Sequence, residues 1–211
     1  MTKSSSLKTI LLRMRNDWPS MCWICPSINF PELEATKYVN QKNGQSVWEH
    51  TMAVIDLLHD DKDIALLAGL FHDLGKCDIQ PVDDPSLPRF PGHPIASANI
   101  AEDTLSSWGA SDYIIDRVSR IVSTHMYDIS NAAREKTIRK FVADVGQDNI
   151  GNWFAVRIAD SASYSGSKQY YNRYIEPFYS AVLSYLRKQP GTEQPKFTCP
   201  FQGMHIKGGD A

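Results

Sequence analysis

An all-α fold is what this sequence predicts, and three observations carry it. Apolar residues recur at i, i+3, i+4 and i+7 in successive segments. Cap and stop residues bound those segments. No stretch shows the strict alternation of a half-buried strand, and no internal repeat appears. With 211 residues, 42% apolar side chains and five tryptophans, the chain has ample material for a core. A net charge of −2 leaves no general electrostatic footprint for nucleic acid or an anionic membrane, so any nucleic-acid contact must be local. No run approaches the roughly 20 apolar residues of a membrane span, and Met1–Ser6 leads into the mixed stretch Leu7–Arg15 rather than an apolar signal core. We expect a cytoplasmic protein without membrane contact; nothing marks an oligomeric state.

Taken in order, residues 7–30 read as a short helix followed by an irregular aromatic and proline-containing stretch. From Pro31 the chain turns polar, up to the turn signal Asn43-Gly44. Ser46, with Glu49 three residues on, forms a capping box for a helix with Val47, Val54, Ile55 and Leu58 on its apolar side; His59 at its polar end reads as solvated. Asp63 can cap the next helix, which carries Leu66, Leu67, Leu70 and Phe71 inward and stops at Gly75. A proline-rich loop then runs from Cys77 to Pro94. Three amphipathic segments follow: Ile95 to Trp108, Ser111 to His125, and one marked by Ile138, Phe141, Val142 and Val145 that ends at Gly146. Asn149 can cap a fourth, Ile150 to Ala162, on which Asp160 extends the inward stripe of Trp153 and Val156. Tyr164 to Ser167 reads as a break, and Gln169 to Arg187 as an aromatic-rich helix in which Tyr170, Tyr171, Tyr174 and Phe178 serve packing. These boundaries suggest an extension at residues 1–43, a domain at 44–189 and a tail at 190–211.

The chemistry concentrates at Leu70-Phe71-His72-Asp73-Leu74-Gly75-Lys76. Neighbouring helical residues point about 100° apart, so two adjacent side chains can reach one cavity from different directions. A carboxylate beside an imidazole at the end of a buried run is costly unless a cation compensates. Alone, the pair fits a metal ligand set or a chance pair with a solvated acid and a packed histidine. The wider pattern separates these. His50, His72, His93 and His125 fall in order within or next to helical segments, and Asp160 closes the series. Arg89, upstream of His93, reads as a surface charge or, beside a phosphate pocket, as an anion contact. Cys22 and Cys25 form a CxxC without a second pair, and Cys77 and Cys199 are isolated, so the four cysteines read as small apolar side chains.

The order H, HD, H, H, D, with Gly75-Lys76 behind the pair, resembles the HD superfamily of metal-dependent phosphohydrolases over roughly residues 44–165. Val47-Trp48-Glu49-His50-Thr51, Phe71 to Lys76, and Gly92-His93-Pro94 with Ser97 resemble the HD domain of bacterial CCA-adding enzymes, and Ile206 to Asp210 looks like the segment that follows it. Two departures stand out: no nucleotidyltransferase domain, and proline rather than an acid after His93. The resemblance implies a helical bundle with a metal site between its helices. His50, His72, Asp73 and Asp160 would hold one divalent ion, His93 and His125 a second, with Asp73 bridging. Nitrogen and oxygen donors suit Mn, Fe, Co, Ni or Mg. Asp73 and Lys76 would be catalytic, and Lys76, a solvated point charge, would bind substrate phosphate with Arg89. The implied activity is hydrolysis of a phosphomonoester or phosphodiester on a small molecule, a nucleotide or an RNA end. Two other readings are a metal-stapled module that binds RNA or protein without catalysis, and a mixed-valent di-iron oxygenase.

Overall fold

The periodic segments fold as helices, and among the described residues the only strand-like pairings are two isolated bridges, Asn40 with Ser46 and Val82 with Arg89. The computed structural model describes residues 7–9, 11–12, 30–41, 44–59, 62–82, 89–130, 134–165 and 171–189. In chain order the helices are α1 (Pro31–Ala35), α2 (Val47–Leu57), α3 (Asp63–Phe71) and α4 (His93–Ser107). They continue as α5 (Asp112–Thr124), α6 (Glu135–Val145), α7 (Ile150–Ser165) and α8 (Glu176–Arg187). None of them is long and apolar enough to cross a membrane.

Helix α3 lies at the centre. Ala65, Leu66, Ala68, Leu70 and Phe71 are fully buried, and the helix packs against α2, α4, α5 and α7. A helix apolar on almost every side belongs inside, where each Leu or Phe withdrawn from water contributes about 1.5 to 3 kcal/mol. Leu11, Phe30 and Leu33, from before residue 44, join the same core. An aromatic group within the same core fixes α7. The rings of Phe141 and Trp153 meet edge to face at 4.7 Å, and those of Phe141 and Phe178 at 4.8 Å. Each such pair adds about 0.5 to 1.5 kcal/mol beyond burial. The Trp153 indole also donates to the Thr124 carbonyl at 3.2 Å, tying α7 to the end of α5.

The capping box of α2 forms in full, with Ser46 and Glu49 each bonding the other's backbone N–H. Other boundaries differ from the periodicity. The polar stretch after Pro31 contains α1, because proline suits the first helical position and Leu33 finds a buried place. Lys62 rather than Asp63 is the N-cap of α3; Asp63 is the first helical residue, where its charge suits the helix dipole. Asn149 ends a short 3₁₀ turn, Gln147–Asn149, and its side chain bonds Arg117 and the Val145 carbonyl. Helix α7 runs on through Tyr164 and Ser165, where a break was expected.

The largest departure is at the His-Asp pair. Helix α3 ends at Phe71; His72 is its C-cap and Leu74–Cys77 form a 3₁₀ turn. Gly75 therefore does not stop the helix. Its absent side chain permits close approach: a Cβ there would lie 2.5 Å from the Ser97 nitrogen and 2.7 Å from the His93 oxygen. Its N–H donates to Ser97 Oγ at 2.9 Å. Nor does His93 sit in a loop: it is the first residue of α4, preceded by Gly92 at φ +86, a left-handed turn that glycine adopts without strain. The readings at Cys22, Cys25, Cys199, Tyr170, Gly166, Ser167, most of the N-terminal stretch and the whole tail lie outside the described residues.

Candidate metal centre

The structure brings His50, His72, Asp73, His93, His125 and Asp160 together, all at most 9% exposed. Two triads form, His50 with His72 and Asp160, and Asp73 with His93 and His125, and in each the ligand atoms lie within 4.8 Å of one another. The carboxylate of Asp73 joins them. Its Oδ2 faces His72 Nε2 at 3.3 Å and His50 Nε2 at 3.5 Å; its Oδ1 faces His93 Nε2 at 3.3 Å and His125 Nε2 at 3.7 Å. Asp160 Oδ1 stands 3.1 Å from His50 Nε2.

What turns the rings inward is the hydrogen bonding behind them. His72 Nδ1 lies 2.8 Å from the Gly69 carbonyl, and the His93 and His125 Nδ1 atoms lie 2.7 Å from those of Phe90 and Val122. A carbonyl only accepts, so each Nδ1 carries a hydrogen, and a ring in its neutral, metal-binding form presents a bare Nε2. His50 reaches the same state differently. Ser163 Oγ donates to the Asp160 carbonyl at 2.7 Å and so accepts from His50 Nδ1 at 3.0 Å. The bare nitrogens then face each other: His50 and His72 Nε2 are 3.1 Å apart, and so are those of His93 and His125. Lone pairs opposed at that distance, with acceptor-only carboxylate oxygens between them, require positive charge in their midst. Ligands at right angles on one ion at roughly 2.1 Å would sit about 3 Å apart. The residues present fit a divalent metal, and the cluster could hold one or two.

Charge around the site is balanced locally. Burial would raise the Asp73 carboxyl, but His72 and Lys76 hold it well below the usual carboxylate range. Burial also acts upward on Asp160, where the His50 hydrogen bond and the charges of His72 and Arg157 prevail and lower it. Burial lowers His72, yet the adjoining Asp73 and Asp160 outweigh it and raise the imidazole. His125, buried and repelled by His72, is pushed down to about 3 and stays neutral.

Lys76 departs from its expected solvated state. It is 9% exposed, with Nζ 2.6 Å from both Asp73 Oδ2 and Gln41 Oε1. Arg89 is exposed at the rim of the adjoining cleft, whose volume is about 830 Å³. That cleft reaches Asp73, His93, His125 and Asp160. Sequence reasoning missed four neighbours. Arg157, one turn before Asp160 on α7, lines the cleft and donates to the His125 carbonyl at 3.1 Å. Ser163 anchors His50, Tyr164 stacks on the His50 ring at 4.3 Å, and Gln41 accepts from the Tyr164 hydroxyl as well as from Lys76. Arg157, Ser163 and Tyr164 left a signal, their spacing of three or four residues from the inward-facing Asp160; Gln41 left none.

No curated protein matches the chain. The family model described as "HD domain" matches residues 46–150, a span holding His50, His72, Asp73, His93 and His125 and ending before Asp160. Helices alone build the described residues, the His-Asp pair stands at the end of the central helix, and residues 46–150 around that pair are similar to the HD-domain family.

Proposed function

We propose that the protein is a metal-dependent phosphohydrolase that cleaves a phosphomonoester or phosphodiester on a nucleotide or a nucleic-acid end. The observation that carries this is the division of Asp73, one oxygen toward His50 and His72 and the other toward His93 and His125. A carboxylate so shared suits a two-ion site. Divalent ions there would supply an activated water at neutral pH and charge to clamp phosphoryl oxygens.

The chain's own residues do the rest. His50, His72, His93 and His125 offer fixed nitrogens that need no reorientation on loading. Arg89 and Arg157 line the cleft and place positive charge where a phosphate would lie. Phe90, Met126 and Tyr164 line it too, giving an apolar bed for the organic part of the ester. A cleft of about 830 Å³ is far larger than a phosphate alone requires, which favours a substrate-accessible site over metals that only staple helices. The narrower choice of nucleotide or RNA end rests on the likeness of the three motif stretches to the HD domain of CCA-adding enzymes.

Purified protein should be analysed for Mn, Fe, Co, Ni and Mg and assayed against phosphorylated metabolites, nucleotides and short RNAs. Release of phosphate or a cleaved ester that requires a divalent ion, and disappears in Asp73→Ala, is the expected outcome. Metal-loaded protein that hydrolyses none of them would overturn the reading, and iron with oxygen uptake would replace it with an oxygenase.

A further inference from the structure

Gln41 lies before the span matched by the family model, yet its side chain is placed beside the metal-binding cluster. Its backbone is pinned on both sides: the N–H donates to the Gln45 carbonyl at 2.8 Å, and its own carbonyl accepts from Gly44 at 3.0 Å. The side chain is 5% exposed, and Oε1 accepts from Lys76 Nζ at 2.6 Å and from the Tyr164 hydroxyl. An ammonium has only hydrogens to give, so the amide orientation is fixed with oxygen toward Lys76. The other half of the amide is left over. Among the described residues, nothing accepts from the buried Nε2 of Gln41. A side chain that leaves a buried donor unpaired is held in place for its other atom.

That other atom competes for one charge. Lys76 Nζ lies 2.6 Å from Gln41 Oε1 and 2.6 Å from Asp73 Oδ2, the oxygen turned toward His50 and His72. We propose that Gln41 is a positioning residue, which shares the Lys76 ammonium with Asp73 and so sets how firmly that carboxylate can hold a divalent ion. A neutral acceptor takes part of the ammonium without drawing it away. With no acceptor at position 41, Lys76 falls wholly onto Asp73 and opposes an incoming cation. With a carboxylate there, Lys76 is drawn off and Asp73 is freed. This role rests on the metal-dependent reading above.

Mn²⁺ affinity, measured by titration calorimetry and by the loss of the free-ion electron paramagnetic resonance signal, tests it on the full chain. Gln41→Met should bind Mn²⁺ about tenfold more weakly than wild type, the scale of outer-shell changes at metal sites. Gln41→Glu should bind it more tightly. Opposite signs support the sharing of Lys76. A loss of affinity in both variants assigns Gln41 to packing and overturns the proposal, as does no change in either. If Gln41→Met does not fold, Gln41→Glu decides alone: tighter binding supports the role, and unchanged or weaker binding overturns it. A wild-type chain that takes up no divalent metal overturns the reading beneath; a wild type that binds, with variants indistinguishable from it, removes only the role of Gln41.

Discussion

The two sides of Asp73 are built by different means. On the Oδ1 side, His93 and His125 are each held by the carbonyl three residues upstream. His72, on the other side, uses the same device at Gly69. His50 does not. It stands within α2, and its ring is set by Ser163 and Tyr164, more than a hundred residues later on α7. Three of the four nitrogens are therefore aimed by local backbone, and the fourth, that of His50, by the docking of α2 against α7. Local anchors survive strain elsewhere in the fold; the His50 anchor lasts only as long as the helix pairing.

The sharpest way to break this comparison is to remove what both sides share. Asp73→Ala should lower metal content on both sides and reduce turnover by about a thousandfold or more, roughly 4 kcal/mol of transition-state stabilisation. Retained metal and turnover would refute the bridging role. Lys76→Ala should be next in size. Loss of a partner from a buried ion pair typically costs about 3 to 5 kcal/mol, so metal-free protein should unfold well below wild type. The deficit should shrink in metal-loaded protein, where the ion takes over the neutralisation of Asp73. Thermal melts with and without metal check this, and an equal deficit in both counts against it.

Ser163→Ala separates the two sides. It removes the hydrogen-bond acceptor of His50 Nδ1 and should weaken one ion by about 10- to 100-fold while sparing the other. Ion counting during stepwise chelation is the measurement; equal loss of both ions would erase the distinction drawn here. Gly75→Ala presses instead on the locally built side. The added methyl group meets the backbone of His93 and Ser97, and overpacking of that kind costs about 1 to 3 kcal/mol. Denaturant melts should show it, whereas unchanged stability would mean that α4 shifts freely. The last test leaves the ligands untouched and concerns Cys77, whose thiol is pushed up to about 11 by burial and then by the charges of Asp78 and Asp73. Alkylation near pH 8 should be about two orders of magnitude slower than for a free thiol. Rapid labelling would show that the 3₁₀ turn opens.

Local features were the ones legible in the sequence. The Ser46–Glu49 capping box, the Gly146 stop and the order of the histidines depend on spacing along the chain, and the structure has them where spacing put them. The end of α3 was not legible, because the Gly75 signal for a helix stop is identical to that for close packing; only the position of α4 distinguishes them. Lys76 looked solvated because its second partner, Gln41, lies 35 residues away. Gln41 joins the site through tertiary packing, which periodicity does not encode, whereas Arg157, Ser163 and Tyr164 share the helical face of Asp160.

The repeated carbonyl anchor has a consequence for protein engineering. In His72, His93 and His125 the ring and the carbonyl that aims it lie within four consecutive residues, and two of the three cap the end of a helix. Such a unit carries its own orientation, so it can be transplanted onto the end of a helix in an unrelated scaffold without a designed supporting shell. A His50-type ligand cannot be moved this way, since its aim belongs to a pair of helices rather than to a sequence.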